Sequence, residues 1–190
     1  MAAASNQVRI IAGSHRGRKL RFLPGAGLRP TPDRVRETLF NWLGTDVRGA
    51  RCLDLFAGSG ALGIEAMSRS ADGLTAVERH HSAAGRLRDN LALLGIAGAE
   101  VVQQDALRLL KSGPTARYDI VFVDPPFAVD IVGEVCRLLV SADWLEREAW
   151  VYLEQDAQRG WPPLPEGWRV HREGRAGQSV FRLLRCNKPG

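Results

Sequence analysis

The sequence predicts an α/β fold: a mostly parallel sheet of seven strands with helices on both faces, one antiparallel strand from a C-terminal hairpin, and a small basic hairpin extension in front. Three observations predict it. From Cys52 onward, short β-branched runs alternate with helical segments, the pattern of strands joined by crossover helices. Leu53-Asp54-Leu55 runs into Phe56-Ala57-Gly58-Ser59-Gly60-Ala61-Leu62-Gly63, a strand followed by a glycine loop that opens a helix. Tyr118-Asp119-Ile120-Val121-Phe122-Val123 has the composition of a buried parallel strand, and it stops at Asp124-Pro125-Pro126-Phe127.

The elements follow in chain order. Val8-Arg9-Ile10-Ile11 and Lys19-Leu20-Arg21-Phe22 flank Gly13-Ser14-His15-Arg16-Gly17 and read as a hairpin. Pro24, Gly25 and Gly27 mark a loop. Thr31 is expected to cap a helix with Pro32 at its first position, and Val35, Leu39, Trp42 and Leu43 recur at helical spacing. Strands are then expected near 51–55, 74–78, 100–103, 119–123, 149–154, 168–173 and 179–185, with helices near 61–70, 81–94, 105–111 and 130–140. Glu173-Gly174-Arg175-Ala176-Gly177 is the expected turn of the last hairpin. Trp161-Pro162-Pro163-Leu164-Pro165 reads as an ordered connection.

Composition narrows the class of protein. A chain of 190 residues with 45% hydrophobic content can bury one substantial core. No apolar run approaches the ~18 residues of a membrane span, and the first residues do not read as a signal peptide; a cytoplasmic protein is expected. Cys52, Cys136 and Cys186 lack paired spacing, which suggests neither a disulfide framework nor a metal site. The net charge of +5 is uneven: residues 1–50 hold nine Lys or Arg against three acids, or +6, leaving −1 for the remainder. A basic extension (residues 1–45) ahead of a near-neutral domain (46–190) suggests a polyanionic partner. Arg16, Arg18, Lys19 and Arg21 are the densest basic cluster, and Arg29, Arg34 and Arg36 follow them; Arg34 and Arg36 are expected near the exposed start of the helix.

Two clusters carry chemistry. Asp124 lies at a strand's carboxyl end, where open α/β sheets bind ligands. Two prolines remove two donors and stiffen the turn, so the Asp124 carboxylate and a nearby carbonyl form an acceptor-rich corner. That corner suits the amino group of a nucleobase, with Phe127 as a stacking face. The second cluster is the glycine loop. Gly58, Gly60 and Gly63 satisfy dinucleotide spacing and Glu78 stands where a ribose-binding acid would, so a NAD site is one reading. Asp54 favours S-adenosylmethionine instead. A carboxylate before the glycines would repel a pyrophosphate but attract the ammonium and sulfonium of that donor. Asp105, at another strand end, can accept from an adenine amino group or cap the helix that follows it.

Taken in order, the Asp54–Gly63 loop, Glu78, Asp105 and Asp124–Phe127 resemble the Rossmann-like class I methyltransferases that use S-adenosylmethionine. Arg9-Ile10-Ile11-Ala12-Gly13, Arg16-Gly17-Arg18-Lys19-Leu20, Gly27-Leu28-Arg29-Pro30-Thr31 and Asp33-Arg34-Val35-Arg36-Glu37-Thr38-Leu39-Phe40-Asn41-Trp42-Leu43 more narrowly resemble the RsmD family of bacterial 16S rRNA guanine-N2 methyltransferases. The resemblance spans nearly all of Val8 to Leu184. It implies methylation of a guanine at the position conventionally numbered 966 in the small ribosomal subunit; a monomer without a metal is expected. It assigns Asp54, Phe56, Ala57, Gly58, Ser59, Gly60, Glu78, Asp105, Ala106 and Asp124 to the cofactor, and Asp124, Pro125, Pro126 and Phe127 to catalysis. A DNA adenine-N6 methyltransferase would share the Asp124–Phe127 corner, and a non-enzymatic RNA-binding assembly factor would share the basic extension.

Overall fold

The computed structural model describes residues 7–22 and 31–187. The loop expected at Pro24–Gly27 and the basic residue Arg29 lie outside the described residues. Strands β1 (Gln7–Arg9) and β2 (Lys19–Arg21) pair antiparallel as a hairpin. Helix α1 (Asp33–Leu43) and a 3-10 turn (Gly44–Val47) lead into the main unit. That unit consists of β3 (Arg51–Asp54), α2 (Ala61–Ser68), β4 (Gly73–Val77), α3 (His81–Leu94), β5 (Ala99–Val102), α4 (Ala106–Ser112), β6 (Tyr118–Val123), α5 (Val132–Ser141), β7 (Leu145–Asp156), β8 (Trp168–Ala176) and β9 (Ser179–Asn187).

The seven strands are ordered β5-β4-β3-β6-β7-β9-β8. β3 pairs parallel with both β4 and β6, and β6 pairs parallel with β7. β9 runs antiparallel to both of its neighbours, β7 and β8, and is the one antiparallel strand expected. The strand order reverses between β3 and β6. In open α/β sheets, that switch point forms a ligand crevice at the carboxyl ends of the strands.

Alternation along each strand sends side chains to two cores. On one face Cys52, Ile120, Phe122, Tyr152 and Phe181 pack with Val35, Leu39 and Phe40 of α1, Ile64 of α2 and Leu87 and Leu91 of α3. On the other, Leu53, Val121, Val123, Val151 and Leu153 pack with Leu110 of α4 and Val135, Cys136 and Leu139 of α5. All three cysteines are buried free thiols, and burial pushes each one's pKa up, Cys136 to about 12.

The basic hairpin is welded to the first of these cores. Val8, Ile10 and Leu20 are buried within it, and the Glu65 carboxylate accepts from the backbone of Ile11 (2.8 Å) and Ala12 (3.0 Å). Ser14 N–H donates to the Ser68 carbonyl (2.8 Å), and Asn90 exchanges hydrogen bonds with the Arg21 backbone. Gly13 permits this approach: its φ is +84°, and a Cβ there would lie 1.7 Å from the Ser68 carbonyl oxygen.

Two local expectations are corrected. The last hairpin does not turn over 173–177, because β8 stays paired to Ala176, opposite Ser179. Gly177-Gln178 is the whole loop, a length typical of tight hairpins. Thr31 does not cap α1, and Pro32 is not its first residue: the N-cap is Pro32, without a side-chain cap bond. The Thr31 hydroxyl is used elsewhere, as described below.

Candidate active site

The crevice at the switch point is lined by acids. Asp54 ends β3, Glu78 follows β4, Asp124 follows β6, and Glu154 lies near the end of β7. Val123 is in register with Leu153, so Asp124 and Glu154 occupy the next cross-strand position.

Asp54 is 1% exposed, and its Oδ2 accepts from Gly63 N–H at 3.2 Å. Its Oδ1 is buried and has no hydrogen-bond partner among the described residues. Burial is the main reason its pKa is pushed up to about 7; the backbone N–H groups of Gly63 and Phe56 oppose the rise and the charge of Glu78 adds to it. A buried carboxylate oxygen left without a donor is costly unless a ligand supplies one. A cation bearing N–H groups fits it, and a pyrophosphate does not.

The loop that follows is held in place by Glu78, which is itself buried. Its Oε2 accepts from Gly58 N–H (3.1 Å) and its Oε1 from His80 N–H (2.8 Å). Each oxygen keeps a second lone pair for a ligand hydroxyl. Gly60 turns the chain into α2 with φ at +80°, and a Cβ there would stand 2.4 Å from Leu87 Cδ1. Asp105 caps α4 through Oδ1 to Arg108 N–H (3.0 Å) and remains exposed, with Ala106 buried beside it. The capping reading therefore holds, and among the described residues Oδ2 has no hydrogen-bond partner.

Asp124 is half-buried, and its Oδ2 accepts from the Thr31 hydroxyl at 2.8 Å. Among the described residues its Oδ1 has no hydrogen-bond partner. The Pro126 carbonyl is occupied by Val129 N–H (3.0 Å), whereas the Pro125 carbonyl is unpaired among the described residues. Two acceptors without partners among the described residues therefore stand on consecutive residues. Phe127 is 37% exposed, and the Arg159 guanidinium donates to its carbonyl (3.1 Å), which steadies the segment. The Asp124 pKa is raised well above the carboxylate range by burial and by the charges of Glu154 and Asp54, against the Thr31 hydroxyl, which lowers it.

Sequence reasoning missed Glu154. It is 3% exposed and accepts from the hydroxyls of Tyr152 (2.7 Å) and Ser179 (2.5 Å). An acid closing the apolar run Val151-Tyr152-Leu153, as Asp124 closes its own run, was the available signal. Thr31 was also missed as a partner of Asp124.

The expected RNA-contacting residues divide. Arg16, Arg18, Lys19, Arg21 and Arg34 are exposed. Arg36 is not, and its expected place at an exposed helix start is overturned. It is 0% exposed and donates to Asp33 (2.6 Å), Glu65 (3.4 Å), the Arg9 carbonyl (2.8 Å) and the Thr31 carbonyl (3.3 Å). Its spacing from Val35 and Leu39 turns it inward, where Glu65 needs a counter-charge.

Comparison with known proteins agrees with this geometry. Residues 8–185 match the family described as conserved hypothetical protein 95. The chain is similar to ribosomal RNA small subunit methyltransferase D of Escherichia coli (strain K12), 47% identical over 99% of this chain and 94% of the relative. It is similar also to the protein of that name from Haemophilus influenzae, 43% identical over 95% of this chain and 94% of that one. The solved structure of the Escherichia coli protein yhhF, 46% identical, superposes with a TM-score of 0.86 over 96% of this chain and 99% of that one. No group of His, Cys, Asp and Glu suited to a metal ion occurs among the described residues, and none of the described helices is long and apolar enough to cross a membrane. On this match in sequence and fold, the chain belongs to the conserved hypothetical protein 95 family, the RsmD family that its motifs resemble.

Proposed function

We propose that the protein transfers a methyl group from S-adenosylmethionine to the exocyclic N2 of a guanine in 16S rRNA, of the position 966 type, within the small ribosomal subunit. The observation that carries this reading is the pair of open carboxylate oxygens on strands flanking the switch point, Asp54 Oδ1 for a cationic donor and Asp124 Oδ1 for an amino group. The names of the similar proteins support both the reaction and the polymer.

Asp54 accepts from the ammonium of the donor, and Glu78 accepts from its ribose hydroxyls while holding the loop through Gly58. Asp105 Oδ2 accepts from the adenine amino group, and Phe56, Ala57, Gly58, Ser59, Gly60 and Ala106 line the same pocket. When bound, the donor supplies an electrophilic methyl on a sulfonium. Guanine N2 is a poor nucleophile because its lone pair is delocalised into the ring. Asp124 Oδ1 and the Pro125 carbonyl each accept one amino hydrogen, which turns the nitrogen's lone pair out of the ring plane and fixes its approach. Pro126 keeps that corner stiff, and Phe127 offers a stacking face for the unstacked base. Arg16, Arg18, Lys19, Arg21, Arg29 and Arg34 contact RNA phosphates; Arg36 holds the structure.

Radiolabelled transfer from S-adenosylmethionine to purified small subunits, free rRNA and DNA, followed by nucleoside analysis, tests the proposal. N2-methylguanosine on subunits is the expected product. N6-methyladenosine, or no transfer to any of the three, overturns it.

A further inference from the structure

Methylation of an amino group leaves a proton to be removed. Nitrogen gains a bond to the methyl carbon as the carbon–sulfur bond breaks, and the electron pair of that bond stays on sulfur. The nitrogen then carries a positive charge and two N–H bonds, and it becomes neutral by shedding one proton. Asp124 is the acidic group of the Asp124–Phe127 corner, but an ordinary carboxylate is a weak base at neutral pH.

Glu154 changes that. It sits across from Asp124 on the neighbouring strand, and each of its carboxylate oxygens already accepts a hydroxyl, Oε2 from Tyr152 and Oε1 from Ser179. Burial raises the Glu154 pKa, and its two hydroxyl donors, Ser179 and Tyr152, oppose that rise by favouring the ionised form. Among the described residues Asp124 has a single such donor, Thr31, and one oxygen without a hydrogen-bond partner. A proton arriving at the pair therefore settles on Asp124 and not on Glu154.

We propose that Glu154 is a positioning residue that acts through Asp124: held ionised by Tyr152 and Ser179, it makes Asp124 the acceptor of the proton that the methylated amino group sheds. The groups that face Asp124 are Glu154 and Tyr152 of β7, Asp54 of β3 and Thr31 ahead of α1. The two carboxylates favour protonation of Asp124 and the Thr31 hydroxyl opposes it, after burial itself, the largest cause. No basic side chain among the described residues is paired with Asp124. This inference rests on the methyltransferase reading above.

Two measurements on the wild type, Glu154→Gln and Glu154→Asp test it. The first is carbon NMR titration of the Asp124 carboxyl in the free protein. Glu154→Gln is expected to lower its midpoint, and Glu154→Asp, which keeps the charge, to leave it nearer the wild-type value. The second is single-turnover methyl transfer to small subunits across pH. Here Glu154→Gln is expected to lose about 10- to 100-fold in rate, a share of what a general base supplies, with the acid limb of the profile moved to lower pH. Glu154→Asp is expected to recover part of the rate. An Asp124 midpoint and an acid limb unchanged in Glu154→Gln would overturn the proposal, even if the rate fell. Should Glu154→Gln not fold, a Glu154→Asp variant whose rate falls as far as that of Asp124→Ala would overturn it too. The titration needs no substrate, so a wild type that methylates nothing would sink the parent reading while the carboxyl coupling is still measured.

Discussion

Replacing Asp54 by Asn should make the free protein more stable and a poorer binder of its donor. Burial pushes the Asp54 pKa from the ordinary 3.8 up to about 7. The folded chain therefore binds more protons than the unfolded chain between these values. Stability falls as pH rises across that window and is flat above it. A displacement of about three pH units corresponds to about 4 kcal/mol lost by pH 8. Asn carries no charge and escapes that loss, but it places an amide without an acceptor where Oδ1 stands, at a cost of about 1–3 kcal/mol. The net gain at pH 8 is about 1–3 kcal/mol, a rise in Tm of about 2–12 °C for a chain of this size. At pH 5 the gain should vanish or reverse. S-adenosylmethionine should raise the wild-type Tm and leave that of the variant nearly unmoved, since its ammonium has lost the charged acceptor. Thermal melts from pH 5 to 8.5, with and without the donor, read all of this. A variant that melts at or below wild type at pH 8 would refute the argument, as would one that keeps the full ligand shift.

Three further outcomes follow from the same geometry. Arg36→Met strips Glu65 of one of two counter-charges, Arg69 remaining at 2.8 Å, and leaves the Arg9 and Thr31 carbonyls without that donor; it should cost about 1–3 kcal/mol, read as a lowered Tm, while Arg34→Ala should leave Tm nearly unchanged and weaken binding to small subunits. Thr31→Val removes the hydroxyl that donates to Asp124; S-adenosylmethionine binding by calorimetry should be unchanged, while the acid limb of turnover moves to higher pH because Asp124 holds its proton longer. Changing Arg16, Arg18, Lys19 and Arg21 together to Ala should flatten the dependence of subunit binding on salt, by about 0.7–0.9 in log–log slope for each phosphate no longer neutralised, without altering donor affinity.

Much of this molecule was legible in its sequence because the relevant signals are local. The run from Tyr118 to Val123 could only be a buried strand, and α3 begins and ends at the residues its periodicity marks. Asp54, Glu78 and Asp124 were readable because each terminates such a run. What escaped depends on pairing between distant segments. Arg36 reads as one more basic residue until Glu65, 29 positions later, proves to be buried opposite it. Thr31 reads as a cap because nothing nearby competes for its hydroxyl, and the competitor is Asp124, 93 positions away. Glu154 becomes Asp124's neighbour only through the parallel pairing of β6 with β7, and it gains the Ser179 hydroxyl only because β9 inserts next to β7. The last hairpin is similar: Glu173-Gly174 has turn chemistry, but Glu173 pairs with Arg182 and keeps the strand running to Ala176.

The charge distribution ties these parts to one function. Four acids gather at the strand ends. Among the described residues no Lys or Arg side chain is hydrogen-bonded to them, although 26 such residues occur in the chain. The basic residues stand outside, and those of the hairpin do not hang from a free arm. Glu65, Ser68 and Asn90 pin its backbone to α2 and α3, and α2 starts at the loop that Glu78 holds. A phosphate bound by Arg16 or Arg18 is thus fixed relative to Asp54 by two rigid steps, the hairpin on α2 and α2 on the glycine loop. Thr31 adds a third: it precedes α1, its carbonyl is held by the buried Arg36, and its hydroxyl holds Asp124. The network that anchors the basic hairpin, the surface proposed to face RNA, is therefore the one that sets the rotamer of Asp124, the acid of the proposed reacting centre. Loss of Arg36 should for that reason lower turnover by more than the loss of RNA affinity accounts for, a difference that kcat at saturating subunits would expose.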